Sequence, residues 1–587
     1  MRTEIVAHGG VRVRAIAGTH SVLLAFDVTD LVLRRQLLGF AIRRSGPTEA
    51  DQPFWFEGTK VFKSVVPNPG NTARYSTLKH PIQSLLWGDY TPKPGKTYEY
   101  VIRPMLGDPA DPQPGTDVTL TVKTERERNG KDGVWFNRGA IASQTFAGRY
   151  GNRAPKNPDN PKDETTKWLS RGLLEACLAF IADAQEGDGL LVAAYEFTYK
   201  PVLDALKAAL GRGVKVRIVY DHSTEKAQDG TLKLTSTAQD NQSAVRDWRF
   251  PRGTLFPRDH SGAIPHNKFI VRVDGDGTPV SVWTGSTNFS ASGFLGQSNV
   301  GHLVVDGVVA AAYAAYWNLL RRDLDRDALR PKLATTSAFE DELGAHAVNP
   351  PIAKGVSIVF SPRDTSKMLN WYAERVTGAV NGVMWTGAFS VDPKIAKAVS
   401  GTAEHPRFLL LEKPPSKKTR AIFAGSKNLQ TVYGNVLGQE YVEDRDGELT
   451  VRRKIPEFEL EKWYLEEELF RKKNEGHVFF VHTKFLLVDP LGDDPLVFSG
   501  SANFSSNSLL NNDENMLLIR GNKRVADIYL SEFDRLLRHF LFRDIAAEQH
   551  GGGDPERGKF LYEKPEQWVP LQYSGFKETR RRMFFPA

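Results

Sequence analysis

Cysteine is nearly absent from this 587-residue chain, which carries Cys177 and no second one. An internal disulfide is therefore excluded, and a reducing, cytoplasmic compartment is the expectation. Long apolar runs are missing too: the nearest candidate, residues 308–320, falls short of the ~18 residues of a membrane span and includes Asn318. The first ten residues lack the apolar core of a signal peptide. We expect no transmembrane segment, and a location in the cytoplasm or peripherally at a membrane.

A strong charge bias is also missing. The chain has 77 basic and 70 acidic residues, so its net charge is +7, which is modest for this length. Such a charge permits a nucleic-acid or anionic-membrane partner without requiring one. The length itself is too great for one hydrophobic core and predicts roughly three or four domains.

One short pattern does carry chemistry. His482 and Lys484 are followed by the apolar run 485–488, a group of turn formers, and then Ser501 and Asn503. This order predicts a buried strand, a hairpin and a second strand. Residues two apart on a strand face the same side, so these four side chains should share one small surface. An imidazole, an ammonium, a hydroxyl and an amide together suit a phosphate ester.

The same pattern occurs a second time, with His266, Lys268, Ser286 and Asn288. The two His are 216 positions apart (482 − 266), and the two Gly-Ser steps are 215 apart (500 − 285). A single His beside an apolar strand is more often a core or surface residue than a catalyst. Two copies with nearly equal internal spacing favour a shared functional site.

Both copies resemble the HxK…D and GSxN motifs of the phospholipase D superfamily, and the resemblance covers roughly residues 130–545. The second copy matches HxKxxxxD with Asp489. The first copy departs from it, because Val273 occupies the Asp position and Asp274 comes one residue later. We expect Asp274 and Asp489 to have a structural role, tying each strand end to its turn.

The predicted fold class is α/β, with two pseudo-repeated catalytic halves at 130–340 and 350–545 that form one active unit. The elements predicted for the first half are a helix at 165–184, a strand at 189–195, a helix at 199–210, a strand at 215–221 and a helix at 308–324. Those predicted for the second are a strand at 356–360, a helix at 365–376, a strand at 382–389, a helix at 393–399, a strand at 407–412 and a helix at 523–542. Strand–helix–strand units of this kind predict parallel strand pairs.

Three other regions flank or interrupt these halves. Residues 1–125 alternate strand patterns with turn clusters, which predicts a β-sandwich similar to a fibronectin type III-like module. A structural or docking role suits it better than substrate recognition, since it shows no chemistry. The insert at 414–477, with a helix predicted at 457–473, is expected to be solvated surface, with a lid as the alternative. The tail at 546–587 should pack back on the body, and its three consecutive Arg leave a weaker lipid-contact reading open.

The resemblance implies a metal-free reaction without a cofactor. One His attacks phosphorus to form a phosphohistidine, and the other protonates the leaving alcohol. The residues expected to hold the non-bridging oxygens are Lys268, Lys484, Asn288 and Asn503. Ser286 and Ser501 would bind phosphate or position the loop. Neither His-x-Lys pair has metal-ligand spacing, so no metal site is expected.

A carboxylate distinguishes the two halves. Glu514 lies 11 residues after Asn503, and the equivalent residue after Asn288 is Asn299. In the family, a carboxylate at this position supports the His of the opposite half. We therefore expect Glu514 to orient His266 as the nucleophile, and Asn299 to leave His482 as the acid–base.

Three functions stay open on the sequence. The first is a phosphodiesterase that hydrolyses or transfers a phospholipid head group. The second is a nuclease or other phosphodiesterase acting on DNA or RNA, because an amide in the first half also resembles the tyrosyl-DNA phosphodiesterase branch. The third is a non-catalytic scaffold that retains the fold, against which two intact motif sets argue.

Overall fold

The computed structural model describes residues 1–48, 52–70, 73–139, 149–150, 155–227, 229–260, 263–333, 354–388, 391–434, 439–443, 449–453, 480–550 and 558–586. Side chains are described there except at 439–443, 449–453 and 542–550. The helix predicted at 457–473 lies outside these residues.

The N-terminal region is rich in strands, as the sequence predicts. Its elements are β1 (Val6–His8), β2 (Val11–Ala17), β3 (Val22–Val28), α1 (Leu31–Arg34), β4 (Leu37–Ser45), β5 (Phe54–Trp55), β6 (Glu57–Gly58), β7 (Val61–Phe62), β8 (Tyr75–Ser76), β9 (Leu86–Asp89), β10 (Thr97–Asp108), β11 (Asp111–Pro114) and β12 (Val118–Lys123). One antiparallel sheet has the order β1-β2-β3-β9; the other has β11-β10-β4-β5, with β12 also on β10. Both sheets contribute side chains to one hydrophobic core, where the ring centroids of Phe26 in β3 and Phe40 in β4 lie 4.8 Å apart. This arrangement is consistent with the β-sandwich, and the likeness to fibronectin type III stays a prediction.

The first α/β region follows. Its elements are β13 (Arg128–Asn129), β14 (Asp132–Phe136), α2 (Glu164–Ser170), α3 (Leu173–Ala182), β15 (Gly189–Ala194), α4 (Lys200–Gly211), β16 (Lys215–Asp221), β17 (Thr224–Lys226), β18 (Leu232–Leu234), α5 (Ser236–Trp248), β19 (Leu255–Arg258), β20 (Lys268–Val273), β21 (Pro279–Gly285), a π-helical turn (Ser292–Gly296), β22 (Val300–Val304), α6 (Gly307–Leu320) and α7 (Arg326–Leu333). The sheet order is β13-β14-β22-β21-β20-β15-β16-β19, and β15 and β16 are parallel as predicted.

The second α/β region begins at residue 355. Its elements are β23 (Gly355–Ser361), α8 (Lys367–Thr377), β24 (Val383–Gly387), α9 (Pro393–Val399), β25 (Arg407–Leu411), α10 (Lys417–Ala424), β26 (Leu429–Tyr433), β27 (Gln439–Glu443), β28 (Leu449–Arg453), β29 (Phe485–Val488), β30 (Leu496–Gly500), α11 (Ser506–Leu510), β31 (Glu514–Arg520) and α12 (Lys523–His550). The sheet order is β23-β31-β30-β29-β24-β25-β26. These seven strands follow the order and pairing sense of β14 to β19 in the first sheet; the pseudo-repeat stays a prediction.

One long helix was predicted at 165–184, and this prediction was wrong in one respect. The structure divides it into α2 and α3, because Arg171 and Gly172 both adopt positive φ, 47° and 88°. Positive φ ends an α-helix, and glycine accepts it without a steric penalty. The kink lets the Arg171 side chain reach Glu532 of α12, to which Nη2 donates at 2.6 Å.

The helix α12 joins the N-terminal region to the two α/β regions. Arg2 donates to Asp527 at 2.7 Å, and the Tyr90 hydroxyl donates to Asp534 at 2.5 Å. Apolar side chains of the N-terminal sheet, including Leu23, share the main core with Ile528 of this helix. The helix extends to His550, beyond the predicted end at 542, and no helix of the described residues is long and apolar enough to cross a bilayer.

The tail carries β32 (Phe560–Leu561), α13 (Pro565–Gln572) and α14 (Gly575–Phe584). Trp568 and Val569 are buried in the N-terminal core, and the Trp568 indole N–H donates to the Leu37 carbonyl at 3.1 Å. Phe584 joins the main core instead. The tail therefore contacts both the N-terminal sheets and the α/β body.

Candidate active site

The two motif copies meet where the two α/β regions touch. Val481 bridges Ser298 of the opposite region in parallel sense, and the His482 N–H donates to the Ser298 hydroxyl at 3.3 Å. On the other side, the Asp513 N–H donates to the Ile264 carbonyl at 3.0 Å. These contacts bring the histidine segment of each region against the opposite region.

The histidines were predicted to lie on the motif strands, and this was wrong in detail. β20 begins at Lys268 and β29 at Phe485, so His266 and His482 lie in the segments that lead into the strands. The second segment leaves its own sheet because Val481 pairs across the interface. Both histidines are nonetheless buried, with 2% and 4% of their surface exposed.

His266 is held by a carboxylate from the other region. Its Nδ1 lies 2.8 Å from Oε2 of Glu514, and Oε1 of Glu514 accepts from Ser508 at 2.7 Å and Asn512 at 3.1 Å. An ionised carboxylate only accepts, so Nδ1 carries the proton and Nε2 carries the lone pair. Burial lowers the pKa of His266 to about 4, despite the opposing attraction of Glu514. Burial alone would raise the pKa of Glu514, but the interactions with His266 and Lys268 bring it below its usual value.

His482 is held by an amide instead. Its Nδ1 lies 2.9 Å from Oδ1 of Asn299, which also accepts from the Ser286 hydroxyl at 2.8 Å. The Asn299 amide nitrogen donates to the Gly293 carbonyl at 2.8 Å, which fixes the orientation of the amide. Each histidine thus takes its partner from the opposite region, one charged and one neutral.

The two lysines are buried beside the histidines. Lys268 Nζ donates to the His266 carbonyl at 2.6 Å, and Lys484 Nζ donates to the His482 carbonyl at 2.7 Å. Burial lowers the pKa of Lys268 to about 7, and burial with the nearby charge of Lys268 lowers the pKa of Lys484 well below its usual value. An anionic phosphate would favour the protonated form of both. A bound phosphodiester would therefore supply the negative charge that keeps both lysines protonated in this buried site.

The motif asparagines have unmet hydrogen-bonding capacity. Within the described part of the chain, Oδ1 of Asn288 and Oδ1 of Asn503 are buried and have no hydrogen-bond partner. A buried polar atom without a partner costs roughly 1–3 kcal/mol. Amide oxygen and nitrogen have nearly the same shape, so each group has a polar atom available to a ligand in either orientation.

The motif serines are engaged with the protein. Ser286 accepts from the Val300 N–H at 3.1 Å and donates to Asn299 at 2.8 Å. Ser501 accepts from the Asn515 N–H at 3.0 Å, and its hydroxyl lies 3.3 Å from the Asn515 carbonyl. Of their two predicted roles, this geometry favours positioning of the loop.

The two motif aspartates lie at strand ends. Asp274 Oδ1 accepts from the N–H groups of Asp276 at 3.1 Å and Thr278 at 2.8 Å, within its own turn. Asp489 Oδ1 accepts from Val380, Asn381 and Gly382 at 2.6–3.1 Å, in the segment before β24. Asp489 thus ties its strand end mainly to the neighbouring strand.

Two residues around the site, Tyr195 and Glu412, were not predicted from the sequence. The Tyr195 ring packs edge-on against His266 at 5.0 Å between centroids and lies 5.3 Å from Lys268 Nζ. The carboxylate of Glu412 accepts from the N–H groups of Phe480 and Val481 at 3.1 and 2.6 Å. Tyr195 directly follows β15, and Glu412 directly follows β25. Their position at the ends of parallel strands was the one sequence signal that could have marked them as site residues. Among the described residues, no group of three or more His, Cys, Asp and Glu could hold a metal ion.

Comparison with known proteins gives one family and weak structural likenesses. No curated protein matches the chain. Polyphosphate kinase from Porphyromonas gingivalis is 10% identical over 60% of this chain and 46% of its own, with a TM-score of 0.35. Phosphatidylserine synthase from Haemophilus influenzae Rd KW20 is 13% identical over 71% and 94%, with a TM-score of 0.36. Nuc, a phospholipase D family member from Salmonella typhimurium, is 25% identical over 24% and 83%, with a TM-score of 0.19.

The chain spans about half the length of the polyphosphate kinase, and all three TM-scores are below 0.5. Residues 177–320 and 440–537 match the family described as Cardiolipin synthase, PLD-like domain. These segments contain Lys268, Asn288, Lys484, Asn503 and both histidines. The family match indicates a PLD-like domain in these two segments, which together make up less than half of the chain.

Proposed function

We propose that this protein is a phospholipase D-type phosphodiesterase that cleaves or transfers a phospholipid head group through a phosphohistidine, without a metal. One observation carries the proposal: His266 and His482, 216 positions apart, each bind through Nδ1 to a partner from the opposite region. This arrangement orients two imidazoles at one interface. A double displacement at phosphorus needs both a nucleophile and an acid.

In the first step, Nε2 of His266 attacks phosphorus. The new N–P bond forms as the bond from phosphorus to the leaving alcohol breaks. The alcohol oxygen takes a proton from Nε2 of His482, so no alkoxide is released. Glu514 accepts the hydrogen bond from Nδ1 and stabilises the positive charge that develops on the attacking ring.

In the second step, His482 takes a proton from water, and the water oxygen attacks phosphorus. The N–P bond breaks and returns the lone pair to His266. An acceptor alcohol in place of water would give transfer rather than hydrolysis by the same route. The amide of Asn299 stabilises a positive ring less than a carboxylate does, which suits a histidine that passes its proton on rather than one that carries phosphorus.

The remaining residues bind the phosphate. Lys268 and Lys484 supply positive charge to the non-bridging oxygens, and Asn288 and Asn503 supply amide groups beside them. Lys268, Lys484 and Asn288 are no more than 1% exposed, so their charges and dipoles act in a site of low dielectric. Ser286 and Ser501 hold the loops that carry these groups.

A nucleic-acid phosphodiester is the second candidate. The pairing of a carboxylate in one half with an amide in the other favours it, since the same asymmetry resembles the tyrosyl-DNA phosphodiesterase branch. Tyr195 beside His266 offers an aromatic surface at the reacting centre. Base stacking on such surfaces contributes about 1–3 kcal/mol per base.

The test compares the two substrates directly. The purified protein is incubated in excess chelator with phosphatidylcholine vesicles, single-stranded DNA and double-stranded DNA, and released choline and DNA fragments are measured. We expect choline release that His266→Ala abolishes. DNA fragments without choline would establish the second candidate. Cleavage of neither substrate, or cleavage that persists in His266→Ala, would refute the mechanism.

A further inference from the structure

Three arginines of the first region bind one short loop of the second. Arg326 Nη1 donates to Asn511 Oδ1 at 3.0 Å, and Arg330 Nη2 donates to the Leu510 carbonyl at 2.5 Å. Arg258, at the end of β19, donates to Asp513 from Nε at 2.9 Å and from Nη2 at 3.4 Å. The segment they contact, which is the last residue of α11 and the loop 511–513, immediately precedes Glu514.

Arg258 differs from the other two in its burial and in its connections. Its side chain is 0% exposed, and the Asp513 side chain is 1% exposed. Its third nitrogen, Nη1, donates to Asp323 Oδ1 at 2.9 Å and to the Leu324 carbonyl at 2.6 Å. All three nitrogens are therefore engaged, and removal of a partner would leave a buried charge uncompensated.

The same cluster fixes the chain that leads to His266. Asp323 Oδ1 accepts from the N–H groups of Asp259 and His260, both at 3.0 Å. The Asp513 N–H donates to the Ile264 carbonyl, which also accepts from the His266 N–H, both at 3.0 Å. One buried arginine thus lies between the segment that carries the histidine and the segment that carries its carboxylate.

We propose that Arg258 is a positioning residue that sets the contact between His266 and Glu514 through its ion pair with Asp513. The inference rests on the proposed function, because it assigns Arg258 a role in the attack step. Arg258 does not touch the reacting atoms. A bidentate guanidinium–carboxylate pair fixes orientation as well as distance, which a lysine at this position would not reproduce.

The kinetic test is a double-mutant cycle between Arg258→Met and Glu514→Gln. In the wild-type background, we expect Arg258→Met to slow adduct formation from an activated phosphodiester by about 10–100-fold, with KM little changed. In the Glu514→Gln background, the same change should slow it by less than about threefold, because the charged carboxylate that Arg258 positions is already lost. Arg258→Lys should recover part of the rate.

The matched control is Arg407→Met. Arg407 is also buried, at 1% exposure, but it donates to carbonyls, including that of Gly401 at 2.9 Å, in the far part of the second sheet. Its effect should be the same with and without Glu514. An equal effect of Arg258→Met in the two backgrounds would overturn the proposal. If Arg258→Met does not fold, Arg258→Lys and Asp513→Asn serve in the same cycle.

A structural readout separates this proposal from the proposed function. Crystal structures of Arg258→Met and Arg407→Met report the distance from His266 Nδ1 to Glu514 Oε2, now 2.8 Å, without any assay of activity. We expect the distance to exceed about 3.5 Å, beyond hydrogen-bond range, in Arg258→Met only. An unchanged distance would refute the positioning role. Failure of the wild-type protein to cleave any phosphodiester would refute the proposed function instead.

Discussion

The two sides of the site differ in one respect while sharing most others. Each side has a histidine bound through Nδ1 across the interface, a lysine bonded to that histidine's carbonyl, and a motif asparagine with an unpartnered oxygen. On the first side the partner is Glu514, and on the second it is Asn299. The proposed nucleophile and the proposed acid thus differ in whether the partner of the histidine is charged. The predictions below test whether this difference sets their roles.

The largest effect is expected from the histidines themselves. His266→Ala should lower turnover by at least about 10⁴-fold with every substrate, because the attacking nitrogen is lost. His482→Ala should block turnover as severely, but with an activated diester, whose leaving group needs no proton, it should leave adduct formation nearly unchanged. Single-turnover rates with both substrates measure this. Equal losses for both variants on the activated diester would contradict the assignment of roles.

The partners should separate the two steps. Glu514→Gln should slow adduct formation by about 10–1,000-fold for natural and activated diesters alike. Asn299→Ala should slow protonation and hydrolysis by about 10–100-fold and leave attack on an activated diester nearly unchanged. Rapid-quench measurement of adduct rise and decay distinguishes the two. If Asn299→Ala slows formation of the adduct as much as Glu514→Gln does, the two partners do not act in different steps.

The lysines make stability depend on pH. The folded pKa of Lys268 is about 7, so between pH 7 and the unfolded value of 10.5 the unfolded chain holds one more proton. Stability due to this group therefore rises with pH through that window, by about 1.4 kcal/mol per pH unit. Lys268→Met should remove this rise, which thermal unfolding midpoints from pH 7 to 10 will show. The pKa of Lys484 is lowered too, so Lys484→Met should also weaken the dependence of stability on pH. If this dependence is unchanged in both variants, burial does not lower the pKa values of the two lysines.

The smallest effects are expected at the serines. Ser286→Ala removes a donor to Asn299, which should cost about 3–10-fold in turnover through the His482 steps. Ser501→Ala loses bonds to Asn515 and should change adduct formation by less than about threefold, because Ser501 does not contact Glu514, which keeps its hydrogen bonds from Ser508 and Asn512. Steady-state kinetics on one small diester compare them. A larger loss at Ser501 than at Ser286 would mean that Ser501 contacts phosphate directly.

Much of this fold follows from local sequence patterns. Strand 215–221 is observed with the predicted bounds, because alternating apolar residues and glycine punctuation define a strand locally. The break at Arg171 was missed because a single glycine, Gly172, inside a helical pattern is not a sufficient signal for the end of a helix. The positions of His482 and Lys484 before β29 were missed for a different reason, because Val481 pairs with a distant segment.

The site was predictable where it repeats and hidden where it does not. Glu514 and Asn299 each lie 11 residues after a motif asparagine, and this shared spacing predicted them as the histidine partners. The structure places both at hydrogen-bond distance from the expected histidines. Arg258 and Tyr195 belong to no repeated pattern, and single charged or aromatic residues near strand ends are common. Their proximity to the site emerges only when the two regions pack together.

The most direct test of the assignment is the location of the covalent adduct. His482→Ala is mixed with an activated phosphodiester, quenched in alkali, digested and mapped by mass spectrometry. The expected result is a phosphoramidate on His266, stable to alkali and labile to acid, that accumulates because its hydrolysis lacks a base. An adduct on another residue, or one that persists in the double variant His266→Ala, His482→Ala, would contradict the roles proposed for the two sides.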